Sequence, residues 1–387
     1  MDNKKDPGES LQLSRRSFLK VATGALAGAV ILGATSIDAS AVDFDLAGSE
    51  AEAQVQLGMQ TFSDSLNRRV MLPRNIERIV PSGRFAQIML CTLCPEKLAA
   101  VSAFDASEHS AYQRGGMGNL SRLAETGEMY SSRGRSINTA RIADVEADIV
   151  LDLGDPKTDL QLSLDYMQMN TNKPAVFIHA TFGELPQAYR QLGALLGCES
   201  RAEELATYIE RLFSDIELRR TAVETPKTIL YAGNDMGLYD NHPLQNAVIE
   251  FLGGRAAGSL TSDRIDIGAL LDRNIDYIIF IDHDCFDSLI SGHGEAYNIW
   301  SSVPAIQRGS YAVTPALYHN WFGSPPLFPQ TIGLMWLGNL MWPSVYDYDM
   351  VAKTKEFYNL FFNYSLSDED SIKLLGMVHA ASEAFNN

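Results

Sequence analysis

The sequence contains little cysteine: four residues in 387, at positions Cys91, Cys94, Cys198 and Cys285. That number is too small for a disulfide scaffold. Cys91 and Cys94 form a C-x-x-C pair, a spacing that also occurs in redox and zinc sites. A zinc ribbon needs a second such pair, which this sequence lacks. Because the residues around the pair are mostly apolar, we predict that both cysteines pack inside a buried helix.

Positive charge is also scarce. Lysine and arginine number 31 against 48 aspartates and glutamates, so the formal net charge is −17. A surface of this sign repels nucleic acid and anionic lipid headgroups, and neither is expected as a partner. Hydrophobic residues nevertheless make up 46% of the chain. This fraction is typical of a globular protein with well-packed cores and excludes a largely disordered chain.

Familiar catalytic motifs are missing from the sequence. There is no iron–sulfur run of cysteines, no H-E-x-x-H, no G-x-S-x-G and no Rossmann glycine fingerprint. The absence of motifs weakens the idea of an enzyme without removing it. An exported metal-cofactor enzyme, either an oxidoreductase or a chelatase-like protein, therefore stands as the second hypothesis.

The most specific local signal is S-R-R-S-F-L-K at residues 14–20, followed by an apolar stretch rich in alanine and glycine. This pattern matches a twin-arginine export signal. Small residues offer cleavage sites at 39–41 and 51–53. No cysteine lies between the apolar stretch and Cys91, so we do not expect a lipoprotein. We expect a protein in the periplasm or cell envelope, either soluble or held by an uncleaved signal.

Beyond residue 57 the pattern alternates strands and helices. Continuous apolar runs such as residues 149–153, 175–178, 228–232 and 277–281 are separated by helical segments. Such runs are typical of parallel sheets covered on both faces. We therefore predict an α/β fold with two doubly wound parallel-sheet lobes.

A long amphipathic segment interrupts this alternation. Ser200 and Glu203 form an S-x-x-E capping box, and an apolar stripe continues to about residue 223. A helix of roughly 24 residues is about 36 Å long, enough to cross from one lobe to another. The predicted divisions are a signal peptide at 1–41, a linker at 42–57, an N-terminal lobe at 58–197, a connecting helix at 198–225, a C-terminal lobe at 226–345 and C-terminal helices at 346–387.

Six segments in order resemble the helical-backbone class of ABC-importer binding proteins, which serve vitamin B12, haem, ferric siderophores and some oxyanions. The likeness is carried by residues 64–73 (DSLNRRVMLP), 78–80, 142–151 (IADVEADIVL), 270–280 (LLDRNIDYIIF), 300–309 (WSSVPAIQRG) and 333–337 (GLMWL) with Pro343. The resemblance implies two lobes joined by one long helix, a ligand in the cleft between them, and an ABC permease with its ATPase as partners. We expect a monomer.

The resemblance also implies permease-docking glutamates near the start of one helix in each lobe. The matching stretches here, 138–141 (NTAR) and 266–269 (DIGA), contain none. Either docking uses other acidic residues, or the permease is unusual.

Ligands in open parallel sheets bind beyond the carboxyl ends of the strands. This rule, applied to the predicted strands, selects a set of candidate contacts: Ser82, Gly83, Arg84, Phe104, Asp155, Tyr231, Asn234, Tyr239, His319 and Trp321. The Ser-Gly-Arg run at a helix start favours an anionic group. Aromatics around His319 favour a flat chelate, with His319 as the one candidate axial ligand to its metal.

No resident cofactor or protein metal site is predicted. Asp282-His283-Asp284 is interpreted as a solvated loop rather than a divalent-cation site. A ferric siderophore or haem satisfies both the anionic and the aromatic features, so we predict an iron complex as cargo. A corrinoid or an oxyanion is the alternative ligand.

Overall fold

A computed structural model describes residues 58–103, 118–129, 137–233, 243–257, 274–291, 295–323 and 328–376. The predicted signal peptide and linker lie outside these residues. So do three candidate contacts: Phe104, Asn234 and Tyr239.

The first half begins with an antiparallel hairpin of β1 (Met59–Ser63) and β2 (Arg69–Pro73). A three-stranded parallel sheet follows, in the order β3-β6-β7. A short parallel pair, β4 and β5, adjoins it through a bridge between Leu98 and Ile79. The strands are β3 (Ile79–Pro81), β4 (Ala100–Val101), β5 (Ala124–Glu125), β6 (Ile149–Gly154) and β7 (Ala175–His179). The apolar runs predicted as buried strands at 149–153 and 175–178 are confirmed.

Helices fill the connections of the first half. They are α1 (Arg84–Leu93), α2 (Thr139–Asp144), α3 (Leu160–Thr171) and α4 (Leu185–Leu196), with 3-10 turns at Pro95–Lys97, Gly118–Arg122 and Phe182–Glu184. Each parallel strand pair needs such a crossover, because the chain must return to the same end of the sheet before it can continue. Cys91 and Cys94, at the end of α1, are both buried, so their predicted core packing is confirmed.

The long connecting helix is α5 (Glu199–Arg220), 22 residues or about 33 Å. Its apolar stripe packs against both halves. The Phe213 ring, for example, lies 5.2 Å from that of Phe182 in the first half and 5.9 Å from that of Phe251 in the second. The helix therefore bridges two sheets, as its length predicts.

The predicted capping box at the start of α5 is wrong. The N-cap is Cys198, and within the described residues no side chain caps the helix there. Glu203 instead accepts a 2.7 Å hydrogen bond from Nε of Arg190 on α4. Because Arg190 donates to both carboxylate oxygens of Glu203, this bidentate pair holds the glutamate away from the helix end.

The second half repeats the parallel pattern in a four-stranded sheet of order β11-β10-β8-β9. A small antiparallel pair, β12 and β13, follows it. The strands are β8 (Thr228–Ala232), β9 (Arg255–Ala256), β10 (Tyr277–Phe280), β11 (Tyr311–Val313), β12 (Ala316–Leu317) and β13 (His319–Asn320). The predicted two-sheet α/β fold class is confirmed, while the exact boundaries drawn between lobes stay a prediction.

The helices of the second half include the chain's last described elements. They are α6 (Pro243–Phe251), α7 (His283–Phe286), α8 (Glu295–Trp300), α9 (Pro304–Gln307), α10 (Pro329–Met341), α11 (Met350–Phe362) and α12 (Asp368–Gly376), with a π turn at Asp287–Ser291. The largest buried cluster runs from Ile79 and Leu151 through α5 to Ile229 and Trp336. Because this cluster includes both halves, they share a core around the connecting helix.

Candidate ligand-binding site

The N-terminus of α1 lies at the carboxyl end of β3. Ser82 follows the strand, Gly83 is the N-cap and Arg84 is the first helical residue. Within the described residues, no side chain caps this helix and its first turn carries no acid. Among the described residues, a Cβ added at Gly83 would meet no atom within 4 Å. An uncapped helix start, a positive side chain and space beside Gly83 suit an anionic group.

A buried carboxyl lies beside this helix start. Asp152, on β6, is 6% exposed and accepts a hydrogen bond from the Ser82 hydroxyl. Burial raises the pKa of Asp152, while the Ser82 hydrogen bond and the positive charge of Lys157 oppose the rise. The hydrogen bond to Asp152 thus orients the Ser82 hydroxyl at the end of β3.

Charged side chains continue along the same edge. Asp155, one residue beyond β6, is exposed and places Oδ1 3.5 Å from Nε2 of His179, the last residue of β7. The other ring nitrogen of His179, Nδ1, lies 3.3 Å from Oε2 of Glu184. The His179 ring therefore lies between two carboxylates. The first sheet ends in polar and charged groups that are partly exposed.

The equivalent edge of the second sheet is closed by hydrogen bonds of its own. Tyr231, near the end of β8, is buried, and its hydroxyl donates to the Phe322 carbonyl at 3.1 Å. Gln245 Nε2 donates to the same carbonyl at 2.7 Å. Asn320 donates to the backbone carbonyl of Ile281, just past β10. The polar atoms at this edge are largely occupied by the protein itself.

The aromatic segment around His319 packs inward. Trp321 is 0% exposed, and its Nε1 donates to the Tyr358 hydroxyl at 2.9 Å. That hydroxyl donates in turn to the Leu317 carbonyl at 2.9 Å. The Tyr318 ring stacks on Phe362 with centroids 4.5 Å apart. In this conformation the four rings are buried against one another, and none of them leaves a broad face for a flat chelate.

His319 itself is half-buried, with its ring 6.2 Å from that of Phe362. Its role as an axial ligand stays a prediction, as do the ligand contacts of Tyr231 and Trp321. Among the candidates that the structure describes, Ser82, Gly83, Arg84 and Asp155 share the first edge. Tyr231 and Trp321 are linked through Phe322 on the second.

Two neighbours on the first edge, Lys157 and His179, were missed by the sequence reasoning. His179 is the last residue of its strand, so the strand-end rule would have selected it had the strand been drawn one residue longer. Lys157 was detectable only by its position three residues after β6. Its charge matters here because it lies close enough to affect the titration of Asp152.

Gln330, in the first turn of α10, was also missed. It is 1% exposed, and within the described residues neither its Nε2 nor its Oε1 has a hydrogen-bond partner. Helical side chains lean toward the N-terminus of their helix, so the amide is directed toward the start of α10. A buried amide without partners is costly. No signal in a single sequence distinguishes it from the many glutamines that lie on exposed helix faces.

A groove of about 1570 Å³ lies elsewhere. It runs along the outer face of α5 and is bordered by α11. Its charged side chains are mostly paired with one another. Arg190 binds Glu203 and Glu210, and Arg219 binds Asp215 and Asp347. Because these charges are already neutralised in pairs, the groove is a weak candidate for capturing a charged ligand.

Among the described residues, no group of three or more histidine, cysteine, aspartate or glutamate side chains is arranged to hold a metal ion. No helix in this part of the chain has both the length and the apolar character needed to span a membrane.

No family model matches the sequence, and no curated protein matches it either. Solved structures do match. An ABC transporter solute-binding protein from Sulfurospirillum deleyianum is 19% identical with a TM-score of 0.70, over 81% of this chain and 98% of that one. The molybdate periplasmic binding protein MolA of Haemophilus influenzae is 17% identical with a TM-score of 0.62, over 80% and 99%.

A third match carries a metal ion. The Helicobacter pylori protein CeuE with Ni(II) bound is 12% identical with a TM-score of 0.60, over 80% of this chain and 98% of that one. At these identities the likeness concerns the fold. Two parallel sheets bridged by one long helix, matched over nearly the full length of each of these structures, give this chain the fold of the periplasmic solute-binding proteins of ABC transporters.

Proposed function

We propose that this protein is the extracytoplasmic solute-binding component of an ABC importer. The observation that supports this most is the extent of the structural match, which covers 98% and 99% of two solute-binding proteins and leaves no large part of their fold without a counterpart. Such a protein binds and releases its ligand without chemical conversion. The absence of familiar catalytic motifs from the sequence agrees with that role.

The proposed cargo is an iron complex, either a ferric siderophore or haem, or a similar metal chelate. The edge at α1 supports an anionic cargo, because Arg84 and the uncapped amides of α1 offer positive potential beside the open space at Gly83. Ser82 adds a hydroxyl whose own proton is engaged by Asp152, so its oxygen is available as an acceptor. The net charge of −17 disfavours anions elsewhere on the surface.

An oxyanion is the second candidate cargo, and a specific observation favours it. Trp321 and Tyr318, expected to stack on a flat chelate, instead pack in the core. A small anion needs only the helix start and its hydroxyl and cationic neighbours. The MolA structure shows that this fold accommodates molybdate in that protein.

The test is native mass spectrometry of the mature protein with a ferric catecholate, a ferric hydroxamate, haem, cobalamin and molybdate. We expect a one-to-one complex with an anionic chelate that survives buffer exchange and shows no turnover. Arg84→Ala should weaken that complex about tenfold or more, since one charge-assisted contact is worth about 1.5–3 kcal/mol. Arg211→Ala, which removes an exposed charge from the α5 groove, is the matched control.

Failure of every chelate and of molybdate to bind would contradict the proposed cargo. Equal losses in the two arginine variants would show that net charge, rather than the α1 edge, governs affinity.

Export by the twin-arginine route is part of the same proposal and has its own test. Replacing Arg15 and Arg16 together by lysine preserves charge but destroys the recognition sequence. We expect the variant to remain in the cytoplasm, while the unaltered chain appears in the periplasmic fraction. Delivery to a permease and its ATPase then predicts ligand uptake that depends on the exported protein. Periplasmic accumulation of the lysine variant would remove the twin-arginine assignment.

A further inference from the structure

Two cysteines far apart in the sequence meet at the junction of α1 and α5. Cys94 is the C-cap of α1 and Cys198 is the N-cap of α5. About 100 residues separate them along the chain. In the folded protein the two thiols lie close enough for each to change the acidity of the other. Both side chains pack on the same buried cluster, Cys94 inside it and Cys198 at its margin.

Contacts next to the thiols hold the two helix ends together independently. Arg201, in the first turn of α5, donates from Nε to the carbonyl of Thr92, near the end of α1, at 3.3 Å. The same guanidinium donates to the Leu360 carbonyl of α11 and pairs with Glu204. The approach of Cys94 to Cys198 is therefore part of a packed junction rather than a chance contact between two mobile side chains.

The two thiols differ in accessibility and acidity. Cys198 is half-buried, and its pKa is lowered, chiefly by the hydrogen bond from Cys94. Cys94 is 1% exposed, and its pKa is raised by the hydrogen bond to Cys198 and by burial. The reactive form of a cysteine is the thiolate. Cys198 is thus suited to react first with an external reagent, and Cys94 to react second, from within.

We propose that Cys94 and Cys198 form a disulfide that fastens the end of α1 to the start of the connecting helix. The inference rests on the proposed function only in that export supplies an oxidising compartment. The sequence draws attention to Cys91 and Cys94, yet the tertiary structure brings Cys198, rather than a C-x-x-C neighbour, to the Cys94 thiol.

The oxidant is a disulfide, carried by a thiol oxidase protein or by oxidised glutathione. The Cys198 thiolate attacks one sulfur of that disulfide, forming a mixed disulfide and expelling the other sulfur as a thiolate. Cys94 then loses its proton to solvent, and its thiolate attacks the Cys198 sulfur, expelling the second thiolate of the oxidant. The protein dithiol loses two electrons, and the oxidant disulfide becomes two thiols.

The crosslink would close a loop containing most of the first sheet and all of α4. A loop of this length restricts the unfolded chain strongly and should stabilise the folded protein. It would also fix the start of α5 relative to α1, whose other end begins the candidate ligand edge. The remaining cysteines are placed differently. Cys91 lies within α1, and Cys285 directs its thiol to the Gly233 carbonyl at 3.3 Å.

The test uses the purified mature protein without ligand, treated with oxidised glutathione, alkylated and digested. We expect a mass 2 Da below that of the reduced protein and one linked peptide pair containing Cys94 and Cys198. Cys91→Ala and Cys285→Ser should leave that pair intact, and Cys198→Ala should abolish it. Reduction should lower the unfolding midpoint of the wild-type protein by on the order of 5 °C or more, and leave that of Cys198→Ala unchanged.

A linked Cys91–Cys94 peptide, or four alkylated cysteines after oxidation, would overturn the assignment. Because the disulfide assay needs no ligand, its result does not depend on the outcome of the ligand screen. A second arm compares protein recovered from the periplasm with the cytoplasmic variant carrying lysine at positions 15 and 16. The disulfide is expected in the first and not in the second, and its absence from exported protein would overturn formation in the cell.

Discussion

The two parallel sheets end differently at their carboxyl edges. The first edge carries Ser82, Arg84, Asp155 and His179 around a helix start with open space beside it. At the second edge, aromatic rings pack against one another, and backbone carbonyls such as that of Phe322 are occupied by protein donors. The same strand-and-helix pattern therefore produces one edge with partly exposed charged groups and another whose described groups are buried and bonded to one another.

This contrast predicts separable consequences of mutation. Changes at the second edge should act mainly on stability, because its groups are buried and mutually bonded. Changes at the first edge should act mainly on ligand affinity and on pH dependence.

Trp321→Ala should destabilise the protein by about 3–5 kcal/mol, since it removes a fully buried indole and leaves a cavity. Urea unfolding followed by circular dichroism measures the change. His179→Ala at the first edge is the matched control, with an expected loss below about 1 kcal/mol. Similar losses of unfolding free energy in the two variants would contradict the proposed difference between the two edges.

Tyr358→Phe should cost about 1–2 kcal/mol. It removes the hydroxyl that accepts from Trp321 Nε1 and donates to the Leu317 carbonyl, so two buried groups lose a partner while the ring packing is kept. The same denaturation assay applies. Tyr364→Phe, at a half-buried ring, is the control and should change stability by less than about 0.5 kcal/mol. A neutral Tyr358→Phe would mean that packing alone holds the aromatic cluster.

Asp152→Asn should alter how stability depends on pH. Burial raises the pKa of Asp152 above its ordinary value of 3.8. Between that value and the higher folded pKa, the folded state binds a proton that the unfolded state has released. This carboxyl therefore adds stability as the pH falls through the folded pKa, and the contribution is lost as the pH rises.

The Asp152→Asn variant should lack this contribution to the change of stability with pH. At neutral pH it should be no less stable than the wild type. Thermal unfolding measured from pH 4 to pH 8 checks both expectations. Ser82→Ala removes the hydrogen bond that opposes the raised pKa of Asp152, so the pH dependence should extend to higher pH. An unchanged slope in Asp152→Asn would show that another group governs this range.

Asp155→Asn should have the smallest effect on stability, within about 0.5 kcal/mol, because its pair with His179 is exposed. It should instead strengthen binding of an anionic chelate several-fold, as it removes a negative charge from the first edge. Titration calorimetry at two salt concentrations measures this, and the gain should shrink in higher salt. A loss of affinity would indicate that Asp155 contacts the ligand directly.

Much of the fold followed from the sequence because the signals were local. The strand at Thr228–Ala232 was predicted at its exact bounds from a continuous apolar run, and the stripe of α5 predicted its position within three residues at either end. The candidate edge at Ser82 to Arg84 followed from the rule that ligands bind at strand ends. Its buried partner Asp152 did not, because an aspartate within an apolar strand gives no sign of what it will contact.

Errors arose where distant residues compete for one group. Ser200 and Glu203 match a capping box, but Arg190 on another helix takes the glutamate. The segment around Trp321 has the composition of a ligand platform, but Tyr358 and Phe362 from α11 cover it. Both outcomes depend on which helices pack against each other, and a single sequence does not show those contacts directly.

The sequence by itself determined the alternation of strands and helices, the long connecting helix and the sign of the surface charge, because hydrophobic periodicity and composition act through near neighbours. Tertiary structure alone decided which cysteine lies beside Cys94, which carboxyl orients Ser82 and at which sheet edge the described carbonyls are occupied by protein donors. These depend on contacts between residues tens of positions apart, and packing selects such contacts only after the elements have assembled.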